Sequence, residues 1–209
     1  MLHKRLISSY IFIIAVCLML GMSTLANASA SSTEQTAVFA GGCFWGVDAV
    51  FKHVKGVSDV QSGYTGGKAA TAHYEQVSTG NTGHAESVRV RFNPNQITYQ
   101  QLLQVFFTVA HDPTELNRQG PDEGNQYRSV VFYTTVEQEK IAQSSIKALT
   151  ASHKFASPIV TQIVPLQQFY PAEKYHQNYC SIHPDDSYII INDMPKLKRL
   201  RNQFPALYQ

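Results

Sequence analysis

"TAVFAGGCFWGVDAVFKHVKG", Thr36 to Gly56, decides how this chain begins to fold and where its chemistry sits. Thr36-Ala37-Val38-Phe39 is a short strand-forming run that leads into Gly41-Gly42. Beyond the glycines, Phe44, Val47, Phe51 and Val54 recur at spacings of three, four and three, the period of a helix with one apolar face. Lys52 and Lys55, followed by Gly56, mark its end. A strand, a glycine turn and a helix in that order place Cys43 at the helix N-terminus, directly ahead of Phe44 and the only tryptophan of the chain, Trp45.

Working outward, Val57 to Gly67 reads as a strand closing in the turn Tyr64-Thr65-Gly66-Gly67. Ser87 to Phe92 sets Val88, Val90 and Phe92 against Arg89 and Arg91, a half-buried strand. Thr98 with Gln101 forms a capping box, and Ile97 with Leu102 a hydrophobic staple, so a helix starts there and ends by Pro113. A glycine-rich polar loop occupies Asn117 to Gln126. A strand over Ser129 to Tyr133, a helix over Val136 to Leu149, a strand over Ile159 to Leu166 and a helical tail from Pro195 follow. Strands and helices intermix without strict alternation, and adjacent strands predict antiparallel pairing, so the expected fold is an α+β two-layer sandwich.

The first residues carry a compartment label. Lys4 and Arg5 precede an apolar run from Ile11 to Leu20, too short for a membrane span, and small residues bracket cleavage positions at Ala28 and Ala30. Residues 1–28 are therefore expected to be a signal peptide, cleaved near 28 or 30, of a protein exported to the periplasm or secreted; residues 33–209 form one domain. Loss of Lys4 and Arg5 leaves 15 basic residues against 15 acidic ones. A balanced charge argues against nucleic acid or an anionic membrane as the partner, and the basic cluster Lys196, Lys198, Arg199 and Arg201 is expected to be a solvated helix face. Cys17 falls in the leader, so Cys43 and Cys180 are the two cysteines of the mature chain, too few for a disulfide framework.

At a helix N-terminus Cys43 meets unsatisfied amides and the positive end of the dipole, both of which favour the thiolate. Gly41 and Gly42 are expected to leave the approach to its sulfur open, and Phe44 and Trp45 to form an apolar pocket beside it. Two polar, aromatic loops, "HYEQVSTGNTGHAE" from His73 and "LNRQGPDEGNQYRS" from Leu116, offer the acids and hydroxyls that a thiol reaction needs. The histidines show no metal-ligand spacing. His84-Ala85-Glu86 lacks the Pro-Cys-x-x-Cys of a zinc deaminase, and no local pattern supports a cysteine hydrolase.

"GGCFWG" at Gly41 to Gly46, "GYTGG" at Gly63 to Gly67, the two loops above with "HDPTE" before the second, and "YPAEKYHQNY" at Tyr170 to Tyr179 together resemble the peptide-methionine (S)-S-oxide reductases, the type A methionine sulfoxide reductases. The resemblance covers most of the mature chain, in order. It implies a two-layer α+β fold, a ferredoxin-like core with a mixed or antiparallel sheet and long added loops. It implies that Cys43 attacks the sulfoxide sulfur of the S epimer, and that Phe44 and Trp45 hold the methyl group. Glu86 then protonates the sulfoxide oxygen, with Tyr74 and Tyr127 as hydroxyl donors and Asp122 in the same network. It implies no cofactor, a sulfenic acid on Cys43, a thioredoxin-like reductant and a monomer acting on oxidised proteins or free methionine sulfoxide. Many members carry recycling cysteines in a glycine-rich tail; here Ser181 to Gln209 holds none. That leaves Cys180 as the expected resolving cysteine, or an external thiol in its place.

Overall fold

The computed structural model describes residues 34–209; the expected leader, its cleavage positions at Ala28 and Ala30, and Cys17 lie outside the described residues. β1 (Gln35–Ala40) is the strand ahead of the glycines. It sends Ala37 and Phe39 into the main core and Val38 and Ala40 into a smaller cluster on the opposite face. α1 (Phe44–Lys52) follows directly, with Cys43 as its N-cap residue. Gly56, at φ +87°, takes the left-handed conformation that turns the chain into β2 (Val57–Thr65). After the single turn α2 (Tyr74–Val77), β3 (Ala85–Phe92) pairs antiparallel with both β1 and β2.

α3 (Tyr99–Val105) opens with the expected capping box: the Thr98 hydroxyl accepts the Gln101 N–H at 3.2 Å, and the Gln101 side chain accepts the Thr98 N–H at 2.9 Å. It widens into a π turn over Phe106–Ala110. The loop expected at 117–126 contains a two-residue hairpin, β4 (Arg118–Gln119) with β5 (Asp122–Glu123). Then come β6 (Val130–Tyr133), α4 (Val136–Ala151), β7 (Gln162–Pro165), β8 (Phe169–Pro171), the short α5 (Tyr179–Ile182), a π turn at Ile189–Asp193 and α6 (Met194–Gln203).

The six-stranded sheet runs β7-β6-β1-β3-β2-β8. Its four central strands are antiparallel neighbours joined through α1 and α3, the ferredoxin-like arrangement. The edges make the sheet mixed, the first of the two expected forms. β7 lies parallel to β6, because the α4 crossover brings the chain back in the same direction, and β8 adds a short antiparallel strand beside β2. The main core lies between the sheet and the helices: Phe39 stacks on Phe51 at 5.2 Å and on Phe106 at 4.8 Å between ring centroids. No helix among the described residues is long and apolar enough to cross a membrane.

α6 corrects one expectation. Lys198, Arg199 and Arg201 are exposed, but Lys196 is 7% exposed and pairs with Asp193 at 2.9 Å. The pair lies against Gly46 of α1, where any Cβ would overlap the Asp193 carboxylate and the Lys196 ammonium. The missing side chain makes the space that draws this cation inward.

Candidate active site

Glu86 sits near the start of β3, paired with Tyr64 of β2. Strand alternation puts it on the same face as Val88 and Val90, under the N-terminus of α1. Its Oε2 accepts the Phe44 N–H at 3.1 Å. The side chain is 3% exposed. Burial pushes its carboxyl up from 4.5 to about 8; the Phe44 amide opposes the rise and the Asp122 charge adds to it. One residue along, Cys43 is buried at the helix start. Burial, then the charges of Glu86 and Asp193, raise its thiol well above the ordinary value; the Trp45 amide opposes them, and Asp122 adds a smaller push. The thiolate expected from the helix terminus is therefore not the resting form. The dipole acts over one turn, and burial among three carboxylates outweighs it.

The two glycines also have another reason. A Cβ on Gly41 would come within 2.8 Å of the His111 ring, and one on Gly42 within 2.6 Å of the Gln119 side chain. Gly42 sits at φ +87° and gives its N–H to the Tyr127 carbonyl at 3.1 Å. The glycines let His111 and Gln119 pack against the turn beside the sulfur. His111 is itself buried and neutral: its Nδ1 donates to the Phe106 carbonyl at 3.0 Å, its Nε2 accepts from the Ser129 hydroxyl at 2.7 Å, and burial pushes it down to about 4.

The structure brings the other expected residues to the same place. Tyr127 closes the loop after β5, and Tyr74 opens α2. Burial raises both phenols, and both feel the charges of Glu86, Cys43 and Asp122. Asp122 accepts a hydrogen bond from Tyr188, and burial raises its carboxyl. Phe44 is buried, its ring centroid 5.8 Å from Tyr64 and 5.0 Å from His176. Trp45 is half-buried. It donates from Nε1 to His176 Nδ1 at 3.2 Å, stacks on Tyr179 at 3.6 Å and meets Tyr188 edge-on at 5.9 Å.

Sequence reasoning did not single out His176, Tyr179, Tyr188 or Glu173. Because His176 accepts from Trp45 at Nδ1, its proton sits on Nε2, which is buried without a partner. Burial keeps the ring neutral against the nearby Glu173 charge. Glu173 accepts the Tyr64 hydroxyl at 2.8 Å and the Tyr74 N–H at 2.9 Å, tying α2 to the segment after β8. The quoted stretch Tyr170 to Tyr179 contained three of these residues; Tyr188 lies beyond it, and nothing local distinguishes it.

Cys180 lies in α5, packed with Ala49 and Ile189. Its Sγ donates to the Trp45 carbonyl at 3.3 Å and lies 3.7 Å from Asp193 Oδ2. Burial, then Asp193 and Asp48, push its thiol up to about 12. Both cysteines are free. No cluster of three or more metal-ligating side chains occurs among the described residues. The site thus holds a soft sulfur nucleophile, a carboxylic acid that keeps its proton at neutral pH, and an aromatic wall edged with hydroxyls. That combination suits removal of an oxygen atom from a soft, apolar-flanked centre.

Residues 35–207 match a family model described as peptide methionine sulfoxide reductase. The peptide methionine sulfoxide reductase MsrA 2 of Mesorhizobium japonicum is 55% identical over 179 residues, covering 86% of this chain and 92% of that protein. Among solved structures, reduced Mxr1 from Saccharomyces cerevisiae superposes with a TM-score of 0.70 at 33% identity, over 74% of this chain and 88% of that one. Mxr1 in complex with Trx2 superposes with a TM-score of 0.51 at 25% identity, over 71% and 86%.

Proposed function

The chain belongs to the peptide methionine sulfoxide reductase family, whose reaction is thiol-dependent reduction of methionine sulfoxide, and on that premise we propose that Cys43 attacks the sulfoxide sulfur of the S epimer while Glu86 protonates its oxygen. The observation that carries this reading is the buried Glu86 carboxyl, protonated up to about pH 8 and held one residue from Cys43 by the Phe44 amide. A sulfoxide oxygen departs from sulfur only as it gains a proton. Sγ of Cys43 bonds to the sulfoxide sulfur, and the oxygen takes the Glu86 proton. The oxygen then passes to Sγ and the methionine thioether leaves. The thiol proton of Cys43 restores Glu86, so one thiol and one sulfoxide become one sulfenic acid and one thioether with no net proton change.

The Tyr74 and Tyr127 hydroxyls donate to the oxygen as charge develops on it. Their raised values keep them donors throughout the physiological range. Asp122 anchors that side of the site through Tyr188. Phe44 and Trp45 hold the S-methyl group. Cys180 then attacks the sulfenic acid, and the resulting Cys43–Cys180 disulfide is opened by a thioredoxin-like reductant; the likeness to Mxr1 captured with Trx2 supports such a donor. The leader supports export, and with it repair of oxidised proteins, by a monomer, in the periplasm or outside the cell.

The test is turnover of both sulfoxide epimers with dithiothreitol as reductant. The reading requires the S epimer to be consumed and the R epimer to persist. Equal consumption of the two, or of neither, overturns it.

A further inference from the structure

The mechanism above assigns the Asp193–Lys196 pair no proton or bond to transfer, yet it is among the most buried charged groups of the molecule. Asp193 is 1% and Lys196 7% exposed. Taking such a pair out of water carries a large desolvation cost before the ions attract, and apolar side chains of like volume often fill such a space more stably. The helix that carries Cys43 gives up a side chain, at Gly46, to seat it. The two oxygens of Asp193 divide their work: Oδ1 accepts from Lys196 Nζ at 2.9 Å, and Oδ2 lies 3.7 Å from the Cys180 sulfur.

We propose that Asp193 is the proton acceptor for Cys180 when that sulfur attacks the Cys43 sulfenic acid, and that Lys196 is the counter-charge that holds Asp193 for the task. The inference rests on the reading of Cys180 as the resolving cysteine. The other acceptor on the Cys180 sulfur, the Trp45 carbonyl, can receive a hydrogen bond but cannot carry a proton away. The remaining ionisable groups around Cys180 are Asp48 on α1, one oxygen of which is engaged by Lys52 at 2.7 Å, and the phenols of Tyr179 and Tyr188. None of these makes a hydrogen bond to the sulfur.

With burial pushing its thiol up to about 12, Cys180 stays protonated near neutral pH, so a route through free thiolate is slow. An acceptor already in contact lets the proton leave as the new bond forms. The Sγ–H bond of Cys180 breaks and its proton goes to Asp193. The Sγ–Sγ bond forms and the Sγ–O bond of Cys43 breaks. The departing hydroxide takes the proton of Glu86 and leaves as water, and the Asp193 proton returns to Glu86 through solvent. Cys180 is oxidised and the Cys43 sulfenic acid reduced, with no further reagent.

The experiment gives reduced enzyme, freed of reductant, one equivalent of methionine S-sulfoxide. It follows the fate of the sulfenic acid that forms, by dimedone trapping and by mass spectrometry of the Cys43–Cys180 disulfide. In Asp193→Asn the conversion of sulfenic acid to disulfide slows at least about 100-fold. Its rate also climbs about tenfold from pH 6.5 to 7.5, the dependence of a thiol that must ionise first. The wild-type rate stays nearly flat across that window, which lies above the titration of Asp48 near 6 and below that of Glu86 near 8. Asp193→Asn strands a buried ammonium, so Asp193→Asn/Lys196→Met, which removes both charges, is measured beside it and shows the same slowing and the same slope. Disulfide formation at the wild-type rate and with the wild-type pH dependence in the double variant overturns the role of Asp193 and leaves Cys180 as resolver intact. Persistent sulfenic acid in the wild type, matching Cys180→Ser, instead overturns the reading of Cys180 on which the inference rests.

Discussion

Glu86→Gln tests the acid directly. An ordinary glutamate, at 4.5, is protonated about once in 300 molecules at pH 7; Glu86, at about 8, is protonated in roughly nine of ten. Its burial therefore raises the concentration of usable acid about 300-fold. Glutamine preserves the volume and can still accept the Phe44 N–H, but it has no proton to transfer. The single-turnover rate of methionine formation is expected to fall at least about 100-fold, roughly 3 kcal/mol of barrier. The pH profile is the sharper readout. The wild-type rate falls as pH rises through about 8, where Glu86 loses its proton, and the variant lacks that limb. Stability follows with its own sign. The folded value lies above the unfolded one, so the contribution of the buried acid is full below 4.5 and is lost as pH rises through about 8. Glu86→Gln, which never ionises, therefore gains in stability relative to the wild type as pH is raised. Rapid-quench turnover with enzyme in excess measures the rate, and thermal melts measure stability. A variant rate within about threefold of the wild type, or an unchanged alkaline limb, would refute the reasoning.

Cys43→Ser is expected to abolish reduction of the S epimer with an unchanged melting transition; residual turnover above a trace contradicts the nucleophile. Trp45→Ala removes the stacking on Tyr179 and the bond to His176, and is expected to raise the apparent KM for a sulfoxide peptide by the worth of a lost apolar contact, about 1–3 kcal/mol; an unchanged KM assigns the tryptophan to packing alone. His111, pushed down from 6.5 to about 4 by burial, takes its proton first in the unfolded chain, so its contribution is intact above 6.5 and is lost by roughly 3 kcal/mol as pH falls to 4. Melts of wild type and His111→Gln over that range should differ in slope, and parallel curves contradict the buried neutral ring. Gly46→Ala forces a methyl onto Asp193 and Lys196 and is expected to destabilise by about 1–3 kcal/mol, read by denaturant unfolding.

What the sequence carries locally, it carries well. The order of β1, glycine turn and α1, the capping box of Thr98 and Gln101, and the alternation of β3 depend on neighbours within a few residues, and the structure reproduces them, with α1 ending at Lys52, short of Val54. The three-residue edge strand β8 is too short to announce itself, and the parallel pairing of β7 depends on the path of α4 rather than on β7's own residues. The site divides in the same way. Cys43, Glu86, Phe44 and Trp45 were marked by motif. The supports given by Glu173 and His176, the burial of Lys196, and the packing of His111 and Gln119 on the glycines arise from side chains distant in sequence. The resting state of Cys43 differs from the expected thiolate for a related reason: a helix N-terminus is visible in the chain, whereas burial and the charges of Glu86, Asp193 and Asp122 act on the sulfur only in the fold.

The central claim is that the sulfoxide oxygen passes to Cys43. The most direct measurement uses Cys180→Ser, reduced and freed of reductant, mixed with less than one equivalent of methionine S-sulfoxide carrying heavy oxygen, and followed by mass spectrometry of the intact protein and its peptides. The account predicts one methionine released for each labelled oxygen found on Cys43 as a sulfenic acid, with a parallel sample that reacts with dimedone at Cys43 and loses that oxygen as water. Methionine released without any oxygen on Cys43, or oxygen found on another residue, would contradict it.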